Sequence, residues 1–246
     1  MIVLFADFGP AGPYVGQMVA ALKRLAPEVD IVELLSDAPV FDPRASAYLL
    51  AAMIDDLPPE AIILGVVDPG VGSERRGVAV EAGGRWLVGP DNGLFAIVAR
   101  RAGAARWHQI TWMPERLSDS FHGRDLFAPI AARLTRGDTS GLAPIGDAGI
   151  VGANWADDLR EVIYIDHFGN VMTGLRASVI GTDRTLVVGG SMVRHARTFS
   201  SVGPGTAFWY ENGNGLCEIA VNRDRADVAL GLRIGLEIEV VGGRNG

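Results

Sequence analysis

The sequence predicts an α/β protein, with a largely parallel N-terminal sheet flanked by helices and a smaller antiparallel β domain after it. Three observations predict this. Strand and helix signals alternate through the first 135 residues, which is the signature of parallel strands joined by helical crossovers. Five glycines (Gly137, Gly141, Gly146, Gly149 and Gly152) and Pro144 then interrupt the pattern. Beyond residue 160 only short strand signals separated by turns remain. The expected organisation is an N-terminal domain over 1–150, a linker over 151–159 and a C-terminal domain over 160–246.

The elements follow in order. Met1–Phe5 reads as a buried strand, and Pro13–Leu25 as a helix with Val15, Met18, Val19 and Leu22 on one face and Pro27 beyond its end. Asp30–Leu35 is a second strand. Asp42 and Pro43 form an N-cap and first-turn pair ahead of an Ala/Leu-rich helix running to about Ile54. Ala61–Val67 is a strongly apolar strand. Gly83-Gly84 marks a hairpin between Gly77–Ala82 and Arg85–Gly89. Leu94–Arg101 reads as a short helix, Trp107–Thr111 as a strand, and Asp125–Leu134 as a helix interrupted by Pro129. The later strands are expected at Glu161–Asp166, Thr185–Val188, Ala207–Glu211, Leu216–Val221 and Leu236–Val241.

Composition narrows the function. Net charge is −7, with 22 Lys and Arg against 29 Asp and Glu, which argues against a nucleic-acid binder. The apolar start, Met1–Phe5, ends at Asp7 without a basic flank, and no apolar run reaches the roughly 18 residues of a membrane span, so a cytoplasmic protein without a membrane is expected. The one cysteine, Cys217, lies in a strand-like stretch and reads as a small core residue.

Three clusters carry candidate chemistry. Asp7-Phe8-Gly9 ends the first strand, Asp68-Pro-Gly-Val-Gly-Ser73 with Arg75-Arg76 ends the third, and Phe121-His122-Gly123-Arg124-Asp125 opens a helix. Ligands of open α/β sheets bind at the carboxyl ends of strands, where a carboxylate is not needed for packing. Neither glycine-rich loop fits a phosphate motif: no Gly-Lys-Ser/Thr follows Asp68, and Gly9–Gly16 lacks the dinucleotide spacing. Asp68, His122 and Asp125 are possible metal donors, but no paired-histidine spacing accompanies them and arginines stand close in sequence; no metal and no cofactor is expected.

Taken together these clusters resemble one family, the S-adenosyl-L-methionine hydroxide adenosyltransferases, relatives of fluorinase and chlorinase. The resemblance is carried by Ala6-Asp-Phe-Gly9 with Tyr14-Val-Gly16, Val66-Val-Asp-Pro-Gly-Val-Gly-Ser73 with Arg75-Arg76, Val88-Gly-Pro-Asp-Asn-Gly93, Phe121-His-Gly-Arg-Asp125 with Phe127-Ala-Pro129, Ile165-Asp-His-Phe-Gly-Asn170 and Glu218-Ile-Ala-Val-Asn222. These six motifs span nearly the whole chain.

The resemblance implies hydrolysis of S-adenosyl-L-methionine to adenosine and methionine, a barrel-like C-terminal domain, and a homotrimer with each site shared between neighbouring subunits. It implies a catalytic set of Asp68, Arg75 and His122, ribose contact at Asp7 beside Phe8, and adenine and methionine contacts at Asp166, Phe168, Asn170, Tyr210 and Asn222. Asp68 can hold the attacking water, Arg75 can keep Asp68 ionised, and His122 can help dispose of the proton; both Asp68 and His122 stay open as proton acceptor. Halogenating relatives carry Tyr at the place of Asp68, where a carboxylate would repel halide. Two departures fall on the methionine side: Gly12 stands where the family has an acid, and Gly213 stands for the serine of an Asn-Ser-x-Gly motif. The alternatives are a non-catalytic S-adenosyl-L-methionine- or adenosine-binding protein, a hydrolase of another 5′-substituted adenosine and, against the charge of Asp68, an S-adenosyl-L-methionine-dependent halogenase.

Overall fold

A computed structural model describes residues 1–146 and 149–242. Two residues of the glycine-rich stretch expected as a connection, and the last four of the expected C-terminal domain, lie outside the described residues. The chain divides into two compact units, Met1–Trp155 and Ala156–Gly246.

The first unit contains β1 (Ile2–Ala6), α1 (Tyr14–Leu25), β2 (Ile31–Leu35), α2 (Pro43–Met53), β3 (Ile62–Val66), β4 (Gly77–Ala82), β5 (Arg85–Pro90), α3 (Ala96–Arg101), β6 (Ala105–Ile110), α4 (Ala128–Leu134) and β7 (Leu142–Ile145). They build one seven-stranded sheet in the order β2-β1-β3-β5-β4-β6-β7. Strands β2, β1, β3 and β5 run parallel, and β4, β6 and β7 continue the sheet antiparallel. From β1 the chain crosses to β2 on one side, whereas β3 leads to β5 on the other. The gap beyond the carboxyl ends of β1 and β3 is therefore a topological switch point, where open α/β sheets bind ligands.

Both sheet faces are covered, which explains the unbroken apolar runs of β1 and β3. Ile2, Leu4, Ala6, Ile62, Leu64 and Val66 join one core with Met18 and Leu22 of α1 and Ala128, Ile130 and Ala131 of α4. Val3, Phe5 and Ile63 are fully buried on the alternate positions. Each large apolar side chain buried in this way stabilises the fold by about 1.5–3 kcal/mol. On the second face Gly65 and Gly89 make room for Phe95: a Cβ on Gly65 would stand 2.7 Å from the Phe95 ring, and one on Gly89 would stand 2.1 Å from the Gly65 carbonyl oxygen.

Local signals are realised closely. The Asp42 carboxylate accepts from the Ala45 N–H at 2.9 Å with Pro43 in the first turn of α2. Gly83 and Gly84 take φ of 57° and 78°, the turn that joins β4 and β5 as a two-residue hairpin. Pro129 divides the expected helix over 125–134. Lacking an N–H, it leaves a π-helical turn over Gly123–Phe127, closed by Ala128 N–H to the Gly123 carbonyl, ahead of α4. The glycine-rich stretch is not all connection: Leu142–Ile145 adds β7 at the sheet edge, where Pro144 is tolerated.

The second unit contains β8 (Leu159–Ile165), β9 (Val171–Arg176), α5 (Ala177–Ile180), β10 (Thr185–Val188), β11 (Ser191–Arg194), β12 (Ala207–Glu211), β13 (Leu216–Val221), α6 (Ala226–Ala229) and β14 (Ile238–Val241). It is antiparallel as expected, in a four-stranded sheet β12-β13-β9-β8 and a three-stranded sheet β11-β10-β14. Among the described residues the strands do not close a barrel. Single bridges, Glu161–Glu237 and His195–Trp209, are all that link the edges, because the strands of the smaller sheet are four residues long. Trp209, Cys217, Ile219 and Leu186 lie in the shared core. Burial pushes the Cys217 thiol up to about 12, which keeps it protonated and unreactive. Among the described residues no helix is long and apolar enough to cross a membrane.

Candidate active site

The loop after β3 is folded by two tight turns: Val71 N–H donates to the Asp68 carbonyl at 3.2 Å, and the Ser73 N–H and hydroxyl both reach the Gly70 carbonyl, at 3.1 and 2.7 Å. Gly72 takes φ of 80°, and a Cβ there would meet the Asp119 carbonyl oxygen at 2.5 Å, so only glycine fits. This fold of the loop returns Arg75 to Asp68.

The Arg75 guanidinium grips Asp68 with two donors. Nε reaches Oδ1 at 2.7 Å, and Nη2 makes a close ion pair with Oδ2. The same Nη2 lies 3.2 Å from Nδ1 of His122. The guanidinium also sits over the Phe127 ring, 5.3 Å from its centre, and donates through Nη1 to the Arg76 carbonyl. That carbonyl accepts a second bond from the Asp91 N–H, while the Arg76 side chain holds Asp91 Oδ2 at 2.9 and 2.6 Å. The strand ends of β4 and β5 thus brace the residue that binds Asp68. The other Asp91 oxygen is buried without a partner among the described residues.

Asp7 stands directly beyond β1. Its Oδ2 accepts from the Phe41 N–H at 3.0 Å. Burial raises its carboxyl above the ordinary value; the Phe41 hydrogen bond opposes this and the Asp68 charge adds to it. His122 is displaced the other way. Burial, then the Arg75 charge, holds it below the ordinary histidine value, so the ring is neutral at neutral pH. Phe8, Tyr14 and Phe121 form a three-way aromatic contact with ring centres 5.5–5.9 Å apart. Asp7, Phe8, Asp68 and His122 line one cavity of about 370 Å³ with Tyr14 and Phe121.

The second unit holds a cavity of about 790 Å³. Asp166, Phe168, Asn170 and Tyr210 all line it. The turn after β8 is tied by the Asp166 carboxylate, which accepts from the Asn170 N–H at 2.8 Å and from its amide at 3.0 Å. Phe168 at the tip of this turn is 73% exposed, an aromatic face without a cover in its own unit. Glu218, 2% exposed, accepts from the Tyr210 hydroxyl at 2.5 Å and from the Asn212 amide at 2.7 Å. Burial raises both the Glu218 carboxyl and the Tyr210 hydroxyl above their ordinary values.

One expected contact residue is placed elsewhere. Asn222 does not line this cavity. Its amide donates to the Val202 carbonyl at 2.8 Å and its own carbonyl accepts from Gly205, which ties down the loop before β12.

Two family models match the chain, the SAM hydroxide adenosyltransferase N-terminal domain over residues 2–143 and the SAM hydroxide adenosyltransferase C-terminal domain over residues 160–239. The chain belongs to the SAM hydroxide adenosyltransferase family. It is 38% identical to the (R)-S-adenosyl-L-methionine hydrolase of Thermus thermophilus over 258 aligned residues, covering 98% of this chain and 99% of that one. It is 36% identical to the enzyme of the same name from Salinispora arenicola, with 96% of each chain covered. Among solved structures it is similar to an uncharacterized conserved protein of Thermotoga maritima, with a TM-score of 0.86, 29% identity and coverage of 98% and 99%.

Three residues that shape these two cavities were not singled out from the sequence, Phe41 in the first unit and Glu218 and Asn212 in the second. Phe41 adopts a left-handed backbone, φ 59°, to aim its N–H at an acid 34 residues away, and nothing in the sequence announces this. Glu218 and Asn212 did leave a signal. A single carboxylate inside the otherwise apolar Leu216–Val221 strand must be buried and must find donors, and the hairpin register sets Tyr210 directly opposite Glu218.

Proposed function

We propose that this protein hydrolyses S-adenosyl-L-methionine by attack of water at the ribose C5′, giving adenosine and L-methionine. The observation that carries the reading is the Asp68–Arg75–His122 constellation beside Asp7 at the switch point of the sheet. In the reaction the C5′–sulfur bond breaks with its electron pair passing to sulfur, so methionine departs as a neutral thioether. The bond from water oxygen to C5′ forms in its place, and the water proton is released.

Arg75 is a donor only, so Nδ1 of His122 accepts from it and the neutral ring carries its hydrogen on Nε2. In this tautomer His122 orients a water by donation. Asp68 is the acceptor: Arg75 fixes its orientation through two donors, and its carboxylate polarises the water and stabilises the positive charge that develops on the attacking oxygen. Asp7 accepts the ribose hydroxyls with Phe8 beside it. In the second unit Phe168 offers a stacking face for adenine or the sulfonium, with Asp166, Asn170 and Tyr210 as polar contacts.

The family resemblance supports a homotrimer, in which one subunit's Asp7 and Asp68 cavity is completed by a neighbour's Phe168 and Tyr210 cavity. A cytoplasmic setting is supported by the one buried thiol.

The test is incubation of the purified protein with S-adenosyl-L-methionine in halide-free water enriched in heavy oxygen. Adenosine carrying the heavy oxygen is expected. Tight binding without adenosine over hours overturns hydrolysis and leaves a binding protein.

A further inference from the structure

A second cavity of about 400 Å³ in the first unit is lined by Arg24, Arg116, Arg124, Arg133 and Arg136 around Trp112, with Asp125 as its one carboxylate. These arginines come from α1, from the loop after β6, from the π-helical turn, and from α4 and its exit, so the fold gathers them rather than the sequence. In a chain of net charge −7 such a concentration is costly unless an anion offsets it.

Their existing partners account for part of the charge. Arg124 pairs with Asp125 at 2.6 and 2.8 Å and lies 4.9 Å over the Phe121 ring. Arg133 lies 4.6 Å over Trp112, with Asp138 close enough to both Arg133 and Arg136 to feel their charge. Arg136 donates to the Leu25 carbonyl at the end of α1 at 3.0 Å. Helix carboxyl ends attract cations, which explains Arg24, Arg133 and Arg136 in part, but each such end carries only about half a charge. Arg116 is on no helix. The side chains of Arg24 and Arg116 make no hydrogen bond or ion pair with any described residue.

We propose that this cavity binds a polyphosphate group. Guanidinium groups pair bidentately with phosphate oxygens, and five of them around a concave site favour a ligand with several negative charges over a single phosphate. The volume is at the small end of ligand sites and accommodates a diphosphate or triphosphate. The site is separate from the Asp68 cavity, yet the segment Phe121–Asp125 contributes to both: Phe121, His122 and Gly123 line one, Arg124 and Asp125 the other. A bound polyanion competes with Asp125 for Arg124, so occupancy reaches the turn that carries His122.

Isothermal titration calorimetry of the intact protein with pyrophosphate, against orthophosphate and chloride at matched ionic strength, tests this. Saturable pyrophosphate binding is expected, weakened by at least about tenfold in an Arg24→Gln/Arg116→Gln double variant that folds normally by circular dichroism. ATP binding as tightly as pyrophosphate assigns recognition to the phosphates alone, and tighter ATP binding adds a nucleoside to the same site. No saturable binding, binding unchanged in the double variant, or displacement of pyrophosphate by adenosine overturns the proposal. Binding is read directly, so the result is independent of whether the protein turns over S-adenosyl-L-methionine.

Discussion

Nη2 of Arg75 lies 3.2 Å from Nδ1 of His122 while the same guanidinium grips Asp68. One side chain therefore fixes the orientation of a carboxylate and the tautomer of an imidazole. His122 is held below 6.5, its ordinary value. The folded chain binds that proton less readily than the unfolded chain, so this group's contribution to stability is present above the ordinary value and is lost as pH falls through 6.5 towards the depressed one. The kcat/KM profile for adenosine release is expected to stay level through pH 6.5 and to fall only below it. An acid limb centred at 6.5 in the wild type contradicts this.

Arg75→Lys keeps the charge and loses the fork. Because a lysine cannot hold both Asp68 oxygens and reach His122 as well, turnover is expected to drop at least about tenfold with little change in melting temperature. Asp68→Asn is expected to cost more, about 10²–10⁴-fold in kcat, since it removes the acceptor itself. Steady-state kinetics on the two variants check both; full activity in Asp68→Asn contradicts the assigned role.

Asp7 is held with a raised carboxyl by burial. Its stabilising contribution is lost as pH rises from 3.8 through that raised value, so at neutral pH the ionised group opposes folding. Asp7→Asn keeps an oxygen for the Phe41 N–H. It is expected to melt higher than wild type at pH 7 and to bind adenosine more weakly. Calorimetric melting and adenosine titration separate the two effects.

The brace behind Arg75 makes a further prediction. Removing Arg76 leaves the Asp91 carboxylate buried and unpaired, so Arg76→Ala is expected to cost about 3 kcal/mol. Adding Asp91→Asn, which removes the stranded charge, recovers part of that loss in denaturant melts. Neither residue lines the cavity, so Asp91→Asn is expected to lower kcat and leave KM unchanged.

Gly213 lines the second cavity, and a Cβ there meets nothing within 4 Å, whereas Gly12 has φ of 131°, which strains any side chain. Gly213→Ser is therefore the restorable departure. It is expected to lower KM for S-adenosyl-L-methionine while leaving competitive inhibition by adenosine as it was.

Much of this was legible in the sequence, for physical reasons that differ by element. The apolar runs of β1 and β3 and the acids at their ends announce a doubly covered sheet with a ligand site at its strand ends. β9 and β11 gave no signal. Gly174 interrupts β9 because Leu159 packs where its side chain would be, with the Leu159 Cβ 2.5 Å from an added Cβ, and β11 is only four residues long. Pro144 concealed β7, since its tolerance depends on being at an edge that only the assembled sheet defines. The bond from the Asn222 amide to the Val202 carbonyl joins residues 20 apart, and no local pattern announces it.

Gly65 and Gly89 touch no substrate, yet the strand ends that carry Asp68 and Asp91 are drawn together around the Phe95 ring by the side chains these two glycines lack. Mutational tolerance in this chain is thus set as firmly by absent atoms as by reactive ones. A scan for activity would find intolerant positions in the middle of the sheet, and a search for catalytic groups among them would find none.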